Sequence, residues 1–313
     1  MTERRHGYFD FLGVDAPFSK GLLARVLTTV GVPDDRAYEL ARRTERDLAE
    51  RNTRGIDLEQ LGQLAADVLG EEAGARTIRR LRRFRDLNEL DQPVILLVGG
   101  GTGTGKSTVA TEVAYRLGIT RVTSTDFVRQ TMRAFFSQEF MPTIHFSSFE
   151  AALGLSKAEE EESGDATLLG FLDQTRNVLV GVEAALQRAL DEGWSMVLEG
   201  VHLVPGMLTT EVERALVVQC VLAIHDEEIH RTHFWSRDLA SAGVRAGDKY
   251  LSGLPEIRMI QEYIVERARR NDVPVIESVS VSEVISGVIE LVLEQAERHA
   301  RRRAGANAEE PAR

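Results

Sequence analysis

Apolar residues recur at helical spacing through the first 90 positions and in short continuous runs after them. Ser19–Val30, Asp34–Glu50, Leu58–Leu69 and Arg76–Leu87 each place apolar side chains three and four positions apart, with Gly31 and Pro33 punctuating the first pair. From Pro93 the pattern changes. Strand-like runs at Val94–Val98, Arg121–Ser124, Ser195–Glu199, Val217–Ala223 and Val273–Glu277 alternate with helical stretches at Ser107–Leu117, Phe127–Phe136, Thr167–Glu192, Glu227–Leu239 and Glu256–Arg270. Such alternation predicts an α/β doubly wound parallel sheet, because parallel neighbours need long crossovers. A last amphipathic helix is expected over Val281–Arg301. The chain thus reads as a helical N-terminal region (residues 1–90), an α/β domain (91–303) and a disordered tail (304–313). Ser156–Asp165, with four successive glutamates at 159–162, reads as a solvated acidic loop.

Charge narrows the partners. A net charge of −11 argues against nucleic acid and membrane surfaces, both polyanions, and requires any anionic small molecule to be met by locally gathered cations. No apolar run approaches the roughly 18 residues that span a bilayer, and no signal-like segment follows Met1, so the cytoplasm is the expected compartment. Cys220 lies inside the apolar run Leu216–Ile224 and is expected to be a buried core thiol.

The most specific chemistry lies at Gly100-Gly101-Thr102-Gly103-Thr104-Gly105-Lys106-Ser107, followed by Thr108. Glycines at this spacing let backbone N–H groups converge on a β-phosphate. Lys106 is placed to reach the β- and γ-phosphates, and the Ser107 hydroxyl to ligate Mg²⁺. The apolar strand before the loop, and Val109, Val113 and Leu117 pacing a helix after it, supply the context this mechanism needs. The helix N-terminus adds its partial positive charge. ATP is the expected co-substrate and Mg²⁺ the expected metal.

Two acids lie at or just past the ends of predicted strands, where open α/β sheets bind ligands. Asp126 is positioned to orient or deprotonate an acceptor hydroxyl or to serve Mg²⁺; it is also a favoured helix N-cap. Glu199, ahead of Gly200, is open to metal, water-mediated or acceptor contact, or to a structural role. Cations gather nearby. Arg129 and Arg133 share a helix face at i, i+4 spacing and suit a phosphate or carboxylate of the acceptor, or a solvated face. Arg231 and Arg237, after the fourth strand, are candidates for a lid over the transferring phosphoryl group. His230 and His233 read as packing or hydrogen-bonding residues.

Together, Gly99-Gly-Gly-Thr-Gly-Thr-Gly-Lys-Ser-Thr, Ser124-Thr-Asp-Phe-Val-Arg, Met141-Pro-Thr-Ile-His, Leu198-Glu-Gly-Val-His-Leu-Val-Pro-Gly and the stretch from Tyr250 to Tyr263 resemble the 2-phosphoglycerate kinase family. Asn271-Asp-Val-Pro-Val-Ile extends the likeness. Ala16-Pro-Phe-Ser-Lys-Gly-Leu-Leu-Ala-Arg resembles the ATP-cone-like region that precedes the kinase in this family. The resemblance covers residues 15 to 280. It implies a P-loop kinase sheet of order 2-3-1-4-5 and conversion of 2-phosphoglycerate to 2,3-bisphosphoglycerate. His145 and His202 match by position, with no role evident from their chemistry. Three readings stay open: this acceptor, another small hydroxy-acid, sugar phosphate or nucleotide, and an ATP sensor without turnover. In the N-terminal region, Ser19 is placed to cap a helix, and Lys20 to meet a regulatory nucleotide or simply to be solvated.

Overall fold

A computed structural model describes residues 18–53, 55–157, 165–208, 214–240 and 247–309, without the side chains of residues 235–240, 247 and 303–309. The chain divides into two compact units, each taken in turn below: one from Gln92–Tyr115 and Ile119–Ile285, the other from the residues up to Asp91, Arg116–Gly118 and the chain from Ser286.

The first unit is built on a parallel sheet of five strands in the order β2-β3-β1-β4-β5. The strands are β1 (Val94–Gly100), β2 (Val122–Ser124), β3 (Met196–Glu199), β4 (Leu216–Ala223) and β5 (Val275–Glu277). This is the order the resemblance implied. Strand β1 is buried along its whole length, as a central parallel strand must be. Crossovers are α5 (Lys106–Leu117), α6 (Thr125–Phe135), α7 (Ala166–Asp191), α8 (Glu227–Ala240), α9 (Gly247–Ser252) and α10 (Leu254–Arg270). One face of the sheet packs Ile95, Leu97 and Leu198 against Val178, Val182 and Leu186 of α7. By register Val221 and Ala223 of β4 point to the same face, where they pack against Phe234 of α8 and Ile257, Ile260 and Ile264 of α10. Cys220, one position along, points to the opposite face and is fully buried, and burial pushes its thiol up to about 12, so it is an inert core residue.

Register decides what meets at the carboxyl edge. Val98 pairs with Glu199 on one side and Cys220 on the other, while Ser124 pairs with Glu199. The end of β1, the carboxylate of β3 and the start of α6 therefore lie side by side. Between α6 and α7 the chain forms two 3-10 turns, Pro142–His145 and Ser148–Gly154, which the apolar pattern did not reveal. Most of the acidic loop, residues 158–164, lies outside the described residues; Asp165 at its end caps α7 through the Leu168 N–H at 3.2 Å.

The second unit is helical. It contains α1 (Lys20–Thr29), α2 (Asp34–Glu50), α3 (Leu58–Leu69), α4 (Glu71–Asn88) and the last helix, α11 (Val281–Glu309), from Ser286 onward. Leu23, Leu27, Leu40, Leu61 and Leu81 are fully buried. Arg83 of α4 ion-pairs with Glu290 and, at 2.7 Å, with Glu297 of α11. The segment expected as a tail from residue 304 is helical as far as Glu309, and residues 310–313 lie outside the described residues. Ser19 caps α1 through the Leu22 N–H at 3.3 Å, whereas Lys20 pairs with Glu45 at 3.1 Å. None of the described helices is long and apolar enough to cross a membrane.

Candidate active site

The loop between β1 and α5 adopts conformations that its glycines permit. Gly100, Gly103 and Gly105 have φ of +138°, +89° and +80°. A Cβ on Gly100 would lie 2.2 Å from the Leu222 carbonyl oxygen, and one on Gly103 would lie 2.6 Å from the Phe234 ring. Any side chain at either place would lift the loop off the sheet or off α8.

The carbonyls of Gly101, Thr102, Gly103 and Thr104 each have a donor. The Lys106 ammonium donates to Gly101 O at 2.6 Å and the Thr104 hydroxyl to the same oxygen at 2.9 Å. His230 Nε2 lies 2.8 Å from Thr102 O, His233 Nδ1 lies 3.1 Å from Gly103 O, and Ser278 Oγ donates to Thr104 O at 2.8 Å. In a planar trans peptide the C=O and the next N–H point in opposite directions. The N–H groups of Thr102, Gly103, Thr104 and Gly105 are accordingly turned away from those donors. Amides turned this way at the head of α5 are able to take an anion.

Lys106 is buried, and burial holds its ammonium below the ordinary lysine value, while the charges of Glu199 and Asp126 pull the other way. Ser107 Oγ donates to Glu199 Oε1 at 2.8 Å, so the expected metal hydroxyl and the buried carboxylate of β3 meet directly. Two hard oxygen donors beside a phosphate cradle fit Mg²⁺. Thr108, the next residue, is exposed on α5.

At the start of α6 the cap is Ser124, which accepts the Phe127 N–H at 3.0 Å; Asp126 lies inside the first turn and is not the cap. Arg129 donates to Asp126 Oδ1 from both Nε (3.0 Å) and Nη2 (2.7 Å), and its Nη1 donates to Ile144 O and Phe146 O at 2.8 and 2.7 Å. Arg129 is thus buried and engaged by protein groups, while the Asp126 side chain it holds is about two-thirds exposed. Its helix-mate Arg133 is exposed and donates to Gln130 Oε1 at 3.0 Å, so the two arginines do not act as one face.

Beside them runs a buried polar chain. His202 bridges Thr125 Oγ1 (2.8 Å) and Gln174 Oε1 (2.9 Å), and Gln174 Nε2 donates to Thr143 O at 2.6 Å. Gly200, at φ +153°, lies so close to Thr125 that a Cβ would sit 1.9 Å from its hydroxyl. His145 Nε2 is 3.0 Å from Phe136 O, outside this chain.

The lid candidates fare differently. Arg231 pairs with Glu227 (2.9 Å) and Glu228 (3.7 Å) of its own helix, and the Arg237 side chain lies outside the described residues. What the sequence did not disclose is the backing of the loop by His230, His233 and Ser278. The available signal was the His-x-x-His spacing on the helix that follows β4, whose carboxyl end borders the loop.

No protein-family profile matches the chain. Curated relatives do. The chain is 39% identical over 274 residues to 2-phosphoglycerate kinase of Methanothermobacter thermautotrophicus, covering 87% of this chain and 89% of the relative. It is 37% identical over 282 residues to that of Pyrococcus furiosus, covering 90% and 91%. With that of Methanopyrus kandleri it shares 34% over 279 residues, covering 89% and 84%. Identity of this extent, running through both the helical and the sheet-bearing parts, makes the chain a member of the 2-phosphoglycerate kinase family.

Proposed function

We propose that this chain transfers the γ-phosphoryl group of ATP to the free hydroxyl of 2-phosphoglycerate, giving ADP and 2,3-bisphosphoglycerate. The observation that carries the reading is the loop Gly100–Ser107, with Lys106 buried at its floor and Ser107 bonded to Glu199. The acceptor's identity is drawn from the relatives, whose name is 2-phosphoglycerate kinase.

The loop amides from Gly100 to Thr108 would take the β- and γ-phosphates, and Lys106 would leave Gly101 O for the phosphate oxygens. Ser107 and Glu199 would hold Mg²⁺, directly or through water, with Asp126 near enough to share its field. When bound, the metal neutralises charge on the β- and γ-phosphate oxygens. Asp126, fixed by Arg129, receives the acceptor hydroxyl and takes its proton as the new O–P bond forms and the bond to ADP breaks. Arg129 acts through Asp126, and Arg133 is the cation left for the acceptor's phosphate or carboxylate. Arg231 and Arg237 remain proposed lid cations, Arg231 needing to turn from the glutamates of its own helix. The reaction would take place in the cytoplasm.

The test is product analysis with purified protein, ATP, Mg²⁺ and 2-phosphoglycerate, following ADP release and the second phosphomonoester by phosphorus NMR. The expected result is one bisphosphorylated product per ADP, with turnover falling at least about a hundredfold in Lys106→Ala, on the scale of losing a transition-state charge contact. ATP binding without phosphorylated product would replace the kinase reading with an ATP sensor. Turnover on other acceptors but not on 2-phosphoglycerate would keep the kinase and change the acceptor.

A further inference from the structure

Helix α8 presents three side chains to the phosphate loop from one face: His230, His233 and Phe234, at i, i+3 and i+4. Carbonyl oxygens only accept, so the nitrogen facing each must carry a proton: Nε2 of His230 toward Thr102 O and Nδ1 of His233 toward Gly103 O. His230 is fully buried, and its other nitrogen, Nδ1, is buried with no hydrogen-bond partner. A proton there would be an unpaired donor in the interior, so the ring is the neutral Nε2–H tautomer. Its plane is fixed by stacking on Phe234 (5.3 Å, 21°), which stacks in turn on Tyr250 (5.5 Å, 7°). Tyr250 meets Phe149 at 5.7 Å, and its neighbour Lys249 pairs with Glu150 at 2.6 Å. The imidazole that holds Thr102 O is thus the end of an aromatic row anchored in the 148–154 turn.

We propose that His230 and His233 are positioning residues of the phosphate site, holding the Thr102 and Gly103 carbonyls from behind so that the Gly103 and Thr104 amides stand ready before nucleotide arrives. This gives α8 a task other than carrying lid cations. Preorganised donors bind an anion more tightly than donors that must first be ordered, so the two bonds act on ATP affinity and leave acceptor affinity alone. A purely space-filling role would depend on ring size and stacking; the proposed role depends on the N–H.

The inference rests on Gly100–Ser107 being the ATP site, and the experiment separates the two. Full-length His230→Phe keeps the ring and its stack without the donor, whereas His230→Gln puts an amide N–H near the place of Nε2. His233→Leu removes the second donor, and His233→Asn puts one near the place of Nδ1. Calorimetric titration with MgATP should show affinity about tenfold weaker in the Phe and Leu variants, the loss expected for one well-placed bond. The Gln and Asn variants should recover to within about threefold of wild type, with KM for 2-phosphoglycerate within about twofold throughout. Unchanged ATP affinity in the donorless variants, or amide variants no better than donorless ones, overturns the proposal. If His230→Phe does not fold by circular dichroism, the His233 pair alone decides, because that side chain is only half-buried. A wild-type chain that does not bind MgATP refutes the loop assignment itself and this inference with it.

Discussion

His202 bridges Thr125 and Gln174 in the interior, and burial, with Arg129 second, pushes its ring down to about pH 3 for protonation. Above pH 6.5 the ring is neutral in folded and unfolded chains alike. Between 6.5 and about 3 the unfolded chain takes a proton that the folded one refuses, so stability falls by up to about 1.4 kcal/mol per pH unit. Burial lowers His230 as well and adds in the same direction. Urea midpoints measured from about pH 7 to about pH 5 should therefore decline, and His202→Gln should lower the proton uptake on unfolding by about one. Parallel wild-type and variant profiles would show that His202 titrates normally. At this scale the sequence disclosed what local spacing dictates, the Lys106–Ser107 pair in its glycine loop. It did not disclose how Arg129 is used, because its partners Ile144 and Phe146 come back to it only when the chain folds 15 and 17 residues later.

Among elements, most strands were legible as apolar runs, β2 (Val-Thr-Ser) being the exception, and their ends shifted by a residue or two. Strand β5 starts at Val275 and not Val273, since Pro274 has no N–H to donate. Helix α4 was harder to delimit. Its apolar pattern begins near Arg76, yet the helix starts at Glu71, after Gly70 at φ +87° and with Glu71 and Glu72 against its N-terminal dipole. Gly74 inside it looks like a helix breaker in sequence. In the structure it is where α4 touches α3, for a Cβ there would lie 2.7 Å from the Ala66 nitrogen. Backbone cannot step aside as a side chain can. Gly74→Ala is expected to lower stability by about 1–3 kcal/mol despite the better helix propensity of alanine. A calorimetric melt showing Tm equal to or above wild type would place the two helices farther apart than described.

For the whole molecule, the sequence boundary near residue 90 followed a change of periodicity, but amphipathicity alone does not name a helix's partner. The stretch from Ser286 groups with α1–α4, so the helical unit is made from both ends of the chain. A chain ending at Ile285 should lose the ion pairs of Arg83 and become open to limited proteolysis within residues 18–91, where the full chain should resist. Equal resistance would show that α1–α4 stand alone. The Arg83 pairs also impose an order in time. Their partners lie 207 and 214 positions downstream, and at about 5–20 residues per second a ribosome needs roughly 10–40 s to deliver them. During that interval α1–α4 lack the helix that completes their unit, while every strand of the sheet is delivered before α11. The helical unit, although its first four helices come early, is therefore completed only after the last strand of the sheet has been made.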